Sequence, residues 1–233
     1  MRHPMFKLIY FPDVISILNG LFGMSAIIFL LLDVPIDSFL RLHIALSLIL
    51  LGLLADGLDG ILARTYGKGE LGEYLEAMAD MTTMGIAPSV YLVMNINLHH
   101  QYDGVLSLSI WAAVLIYLTS SFIRLSSFHP LKNKDVFIGL PASAATLFLL
   151  SMSMITNSVL ALISSICIIS FLMIIPLSFP KPTKLMNLIT VLIIIFTIIF
   201  AVLFQFMYLF LLSSVVIYMF GGQLYVYFHK KIM

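Results

Sequence analysis

Charge is what this chain has least of. Only 10% of its residues are Asp, Glu, Lys or Arg, against 61% that are hydrophobic, and the mean hydropathy is +1.11. Soluble domains carry about 25% charged residues, so a water-facing surface all round is excluded. Cysteine is nearly absent as well. Cys167 stands alone inside an apolar run at 159–177, which excludes an intrachain disulfide and leaves the redox compartment open. Its apolar setting predicts a small packing residue in place of a reactive thiol. There is no internal repeat, no low-complexity stretch and no linker. The first apolar run lacks a small-residue cleavage site and reads as a retained span. A net charge of +1 carries no signal for nucleic acid, and no such partner is expected.

What is present is a succession of apolar runs, each about 20 residues long and able to cross about 30 Å of hydrocarbon as a helix. Long runs without alternation favour helices over a barrel. The expected fold is therefore all-α: a polytopic transmembrane helical bundle of about eight spans (six to eight), forming a single integral membrane domain over residues 1–233. The spans are read at 14–32, 39–64, 72–94, 105–124, 137–155, 158–177, 185–204 and 207–228. The fifth and sixth are parted by Thr156 and Asn157, the last two by little more than Gln205. Unbroken, residues 137–177 or 185–228 would make helices of about 60 Å, twice the membrane core.

The twelve Lys and Arg residues support that count. Arg2, Lys7, Arg64, Lys68, Arg124, Lys132, Lys134, Lys181, Lys184, Lys230 and Lys231 all fall on one face of the membrane, and only Arg41 falls on the other. By the positive-inside rule the basic face is cytoplasmic, which places both termini there. His99 and His100 fall on the far face. His129, Lys132 and Lys134 fall in a near-face loop and read as surface.

Ionised carboxylates are costly in a span, on the order of 3 kcal/mol or more at mid-helix, yet the helix pair 39–94 carries four near its cytoplasmic end. Asp56 and Asp59 are three apart, Glu76 and Asp80 four apart, so each pair shares a helical face. The short connection makes the two helices antiparallel neighbours whose acidic faces can converge. Such a cluster needs a cation, and Mg²⁺ is commonly held by a few carboxylates together with substrate phosphates. Two ions could clamp a phosphate for in-line displacement. Gly60, Ala63 and Arg64 share the face of Asp56 and Asp59; small residues admit a ligand to the backbone, and a guanidinium suits phosphate. Gly67, Gly69 and Gly72 are read as keeping the connecting loop open. On residue types alone, an ion or proton path through the membrane is the alternative use for this cluster, and a snorkelling helix-end charge the alternative reading of Arg64.

The run Asp56-Gly57-Leu58-Asp59-Gly60-Ile61-Leu62-Ala63-Arg64, followed by Gly72, Glu76 and Asp80, resembles the signature D-x2-D-G-x2-A-R-x7-8-G-x3-D-x3-D of the CDP-alcohol phosphotransferase family. Glu76, where the family has Asp, is the one departure. The stretches Thr83–Pro88, Arg124–Phe128 and Phe137–Ala145, with the opening around Asn19, are similar to the phosphatidylserine and archaetidylserine synthase branch. The matches cover residues 12–145.

The resemblance implies the following. Asp56, Asp59, Glu76 and Asp80 bind two divalent ions, Mg²⁺ or Mn²⁺, and Asp80 is also the general base. Gly60, Ala63, Arg64 and Gly72 line the nucleotide site. The substrates are a CDP-linked diacyl or dialkyl lipid and L-serine, CMP is released, and the protein is a homodimer working at the cytoplasmic membrane. Arg124 is the candidate for binding the acceptor, with a membrane anchor as its alternative. Other outcomes are a sister transferase acting on inositol phosphate, glycerol phosphate or choline, a transporter or channel, and a catalytically silent relative marked by Glu76.

Overall fold

A backbone in hydrocarbon finds no water to bond, so each apolar run closes its own hydrogen bonds as a helix. The computed structural model describes residues 8–32, 34–67, 69–99, 104–127 and 136–230. His100, His129, Lys132, Lys134, Arg2, Lys7, Lys68, Lys231 and the side chains of His99 and Lys230 lie outside that description. The chain divides into two compact units, Met1–Tyr91 and Leu92–Met233.

In the first unit, helix α1 (Phe11–Leu31) packs along α2 (Ser38–Tyr66) and α3 (Gly72–Asp80). Asp13 closes the start of α1 by accepting from the Tyr10 amide at 2.7 Å. Arg41 closes its end, donating through Nη2 to the Leu30 carbonyl at 2.8 Å and to the Leu32 carbonyl; a cation suits the negative end of a helix. Asp37 caps α2, accepting from the amides of Phe39 (2.9 Å) and Leu40 (3.4 Å). Gly67 ends that helix at φ +80°, a conformation that favours glycine.

The loop that follows is not open as expected. A Cβ at Gly69 would collide with the Leu8 carbonyl and the Asp13 carboxylate, so the loop is packed onto the start of α1.

Beyond Asp80 the helical hydrogen bonding loosens into a π-helical stretch, Met81–Ile86, before α4 (Ala87–His99) resumes. Thr83, fully buried, is wedged here between two helices. A Cβ on Gly23 of α1 would meet Thr83 Oγ1 at 2.5 Å, and one on Gly52 of α2 would meet Thr83 Cγ2 at 2.5 Å. Small residues let membrane helices approach this closely, and π turns recur near functional sites.

The second unit comprises α5 (Gly104–Ser126), α6 (Ala142–Ile155), α7 (Val159–Ile174), α8 (Lys184–Phe200) and α9 (Met207–Lys230), with α5 on α7 and α6 on α7 and α9. Ile96, Ile110, Val159 and Leu162 form one of its apolar clusters. Pro141 precedes α6, and Ala142 and Ala145 of that helix are buried.

The expected fifth span starts too early. Residues 136–138 are not helical but form strand β1 (Val136–Ile138), paired antiparallel with β2 (Ser178–Pro180) in the register Phe137↔Phe179. Gly139 (φ +79°) abuts the Met173 carbonyl, holding the ribbon against the end of α7. Cys167 is exposed on α7 and not packed inside, a correction to the sequence reading.

The break at 156–158 is where the sequence placed it, whereas the last one is longer than expected, since α8 ends at Phe200 and not at 204. Among the described residues, four helices are long and apolar enough to cross a membrane: Phe11–Leu31, Ser38–Tyr66, Gly104–Ser126 and Met207–Phe228. The expected third span is a continuous helical run, but the π stretch divides it. Helices α6, α7 and α8, with 14, 16 and 17 residues, are apolar but shorter. The exterior carries residues such as Val105, Leu160 and Leu203 at 72–84% exposure, a surface that suits lipid.

Candidate active site

Helices α2 and α3 bring their acidic faces together. One carboxylate oxygen from each of Asp56, Glu76 and Asp80 lies within 4.8 Å of the others, and all three side chains are half-buried. The longer Glu76 therefore still reaches the group. Asp59 stands apart from this trio. It is buried (3% exposed), and its Oδ2 accepts from Ser16 Oγ at 2.6 Å. Its charge is nevertheless felt at Asp80, which lies in the repulsive field of Asp56, Glu76 and Asp59 together. An all-oxygen, strongly anionic donor set is the chemistry of hard divalent cations, so these residues fit Mg²⁺ or Mn²⁺.

Helix α1 supplies a part of the site that the sequence reading left out. Asn19, fully buried, donates from Nδ2 to Asp80 Oδ1 at 2.8 Å, and its backbone carbonyl accepts from Thr83 Oγ1 at 2.8 Å. Ser16 holds Asp59 from one turn earlier. The signal was available. Asp13, Ser16 and Asn19 recur every three residues in an otherwise apolar run, and all three are buried on one face of α1. A polar stripe turned inward has polar partners.

Around the acidic group, a Cβ on Gly60 would meet nothing within 4 Å, which leaves space beside Asp59. Ala63 is half-buried, Arg64 is exposed at the last turn of α2, and Gly72 is buried at the start of α3.

In the second unit, Arg124 is 7% exposed, donates from Nε to the Leu140 carbonyl at 3.1 Å, and stands 6.0 Å from the centroid of the Phe137 ring. Lys181 Nζ approaches the same ring at 5.5 Å. Both cations thus neighbour the ring of Phe137, a residue of strand β1.

A profile of the CDP-alcohol phosphatidyltransferase family matches residues 9–179. The chain is 32% identical over 178 residues to the CDP-diacylglycerol–serine O-phosphatidyltransferase of Bacillus subtilis (strain 168), covering 75% of this chain and 92% of the relative. It is 32% identical over 181 residues to the protein of the same name from Methanocaldococcus jannaschii, covering 77% and 78%. It is also 31% identical over 138 residues to the archaetidylserine synthase of Methanothermobacter thermautotrophicus, covering 58% and 53%. The profile match takes in α1 with its polar stripe, both acidic helices and the ribbon, and on that extent the chain belongs to the CDP-alcohol phosphatidyltransferase family.

Proposed function

We propose that the protein transfers a phosphatidyl-type group from a CDP-linked diacyl or dialkyl glycerol to L-serine, releasing CMP. The observation that carries this reading is the convergence of Asp56, Glu76 and Asp80 within 4.8 Å, in a chain whose relatives bear the names of serine transferases.

In this reading Asp56, Asp59, Glu76 and Asp80 hold two divalent ions, which when bound neutralise the diphosphate and acidify the attacking hydroxyl. Asp80 Oδ1 is already bonded to Asn19, so the proton of the serine hydroxyl is taken at Oδ2. The hydroxyl oxygen bonds to the lipid-bearing phosphorus as the bond to the CMP oxygen breaks. Gly60, Ala63 and Gly72 admit the nucleotide, and Arg64 bonds its diphosphate through a forked guanidinium. Arg124 receives the serine carboxylate. The enzyme works as a homodimer of eight-span protomers in the cytoplasmic membrane, with its termini and active site on the cytoplasmic side.

The test is purified protein with a CDP-linked lipid, Mg²⁺ or Mn²⁺, and a panel of serine, inositol phosphate, glycerol phosphate and choline, with CMP measured. Serine-dependent CMP release is expected. Release with a different alcohol alone moves the assignment to a sister transferase, and no release with any alcohol removes it.

A further inference from the structure

Asn19 binds the neighbouring helix at two points one turn apart, its side chain on the Asp80 carboxylate and its backbone carbonyl on the Thr83 hydroxyl. Those two points bracket the place where α-helical bonding gives way to the π stretch. Thr83 cannot slide, because Gly23 and Gly52 close on it from α1 and α2. The Asp80 carboxylate is thus gripped from a third helix at a fixed height.

The Asn19 side chain also bears an unbalanced cost. Its Oδ1 is buried, with no hydrogen-bond donor among the described residues, and a buried polar atom left unpaired is unfavourable. Packing alone would be better served by an apolar residue of the same size. What the amide adds is the bond to Asp80.

We propose that Asn19 is a positioning residue: it fixes the orientation of the Asp80 carboxylate, and through it the affinity and placement of the divalent ions. The proposal rests on the reading of Asp80 as a metal ligand.

It is tested by titrating purified protein with Mn²⁺ and following the electron paramagnetic resonance signal of the free ion, with no substrate present. Asn19→Leu is expected to elute and melt like wild type, to bind Mn²⁺ about 10- to 100-fold more weakly, the usual effect of losing an outer-shell partner, and to lose kcat while KM for the CDP-lipid holds. A folded Asn19→Leu with wild-type Mn²⁺ affinity overturns the proposal. If that variant does not fold, Thr83→Val, which removes only the bond to the Asn19 carbonyl, decides in its place: weakened Mn²⁺ binding supports the proposal and unchanged binding overturns it. A wild type that binds Mn²⁺ but releases no CMP removes the transferase reading alone, since the positioning claim is still decided by the variants' Mn²⁺ affinities. A wild type that binds no Mn²⁺ overturns both.

Discussion

At the scale of single residues, the four carboxylates are unequal in their surroundings. Asp80 shares the trio with Asp56 and Glu76 and is held by Asn19, whereas Asp59 is turned toward Ser16. Asp80→Asn keeps the shape but cannot take a proton, so kcat for CMP release is expected to fall by at least about 10²-fold, the lower end for loss of a general base. Glu76→Asp restores the family's residue, and activity is expected to be unchanged or raised. Full activity in Asp80→Asn would remove the proposed base. Arg124 makes a separate prediction. Its guanidinium is buried and bonded through Nε to the Leu140 carbonyl, and Arg124→Ala is expected to raise KM for serine about tenfold or more, the value of a charged hydrogen bond, with KM for the CDP-lipid unchanged. An unaltered serine KM would dismiss that contact.

At the scale of elements, α1, α2 and the π stretch meet closely at Gly23, Thr83 and Gly52. Gly52→Ala drives a methyl group into Thr83 Cγ2, and overpacking of this kind costs about 1–3 kcal/mol, to be read as a lowered melting temperature in detergent. Thr83→Ser removes that Cγ2 but keeps the hydroxyl for Asn19. The double variant is therefore expected to be more stable than the sum of the two changes predicts. Recovery should be partial, because the Asn19 oxygens still lie 3.1 and 3.2 Å from the added carbon. Additive effects would show that the three helices do not meet as described.

The same junction marks where sequence reading stopped. Periodicity places Asp56 beside Asp59 and Glu76 beside Asp80, and a short loop makes α2 and α3 neighbours, so the convergence of Asp56, Glu76 and Asp80 was legible. The bond from Asn19 to Asp80 joins positions 61 apart, and no spacing rule says which helix a third element will face. The π stretch at Met81–Ile86 was likewise hidden, since no periodicity rule separates it from an α-helical run. The β1–β2 ribbon pairs residues forty or more positions apart, by backbone bonds that leave no side-chain pattern in so short a strand.

For the whole molecule, the alternation of basic loops makes a prediction about sidedness. In a Cys167→Ser background, Pro35→Cys and Asn157→Cys are expected to react with an impermeant maleimide applied to intact cells. Glu70→Cys and Lys184→Cys should react only after permeabilisation. Asn157 is the informative position, since it lies between α6 and α7, helices of 14 and 16 residues. At about 1.5 Å per residue these run to some ~21–24 Å, less than the ~30 Å core, and they cross only if flanking residues or a thinned bilayer make up the difference. Protection of Asn157→Cys from both sides would mean that α6 and α7 do not cross. The unaltered chain offers one more resource. Its lone sulfhydryl is exposed on α7, so a lipophilic fluorophore coupled there would report local polarity from a native protein carrying one reporter at a known place.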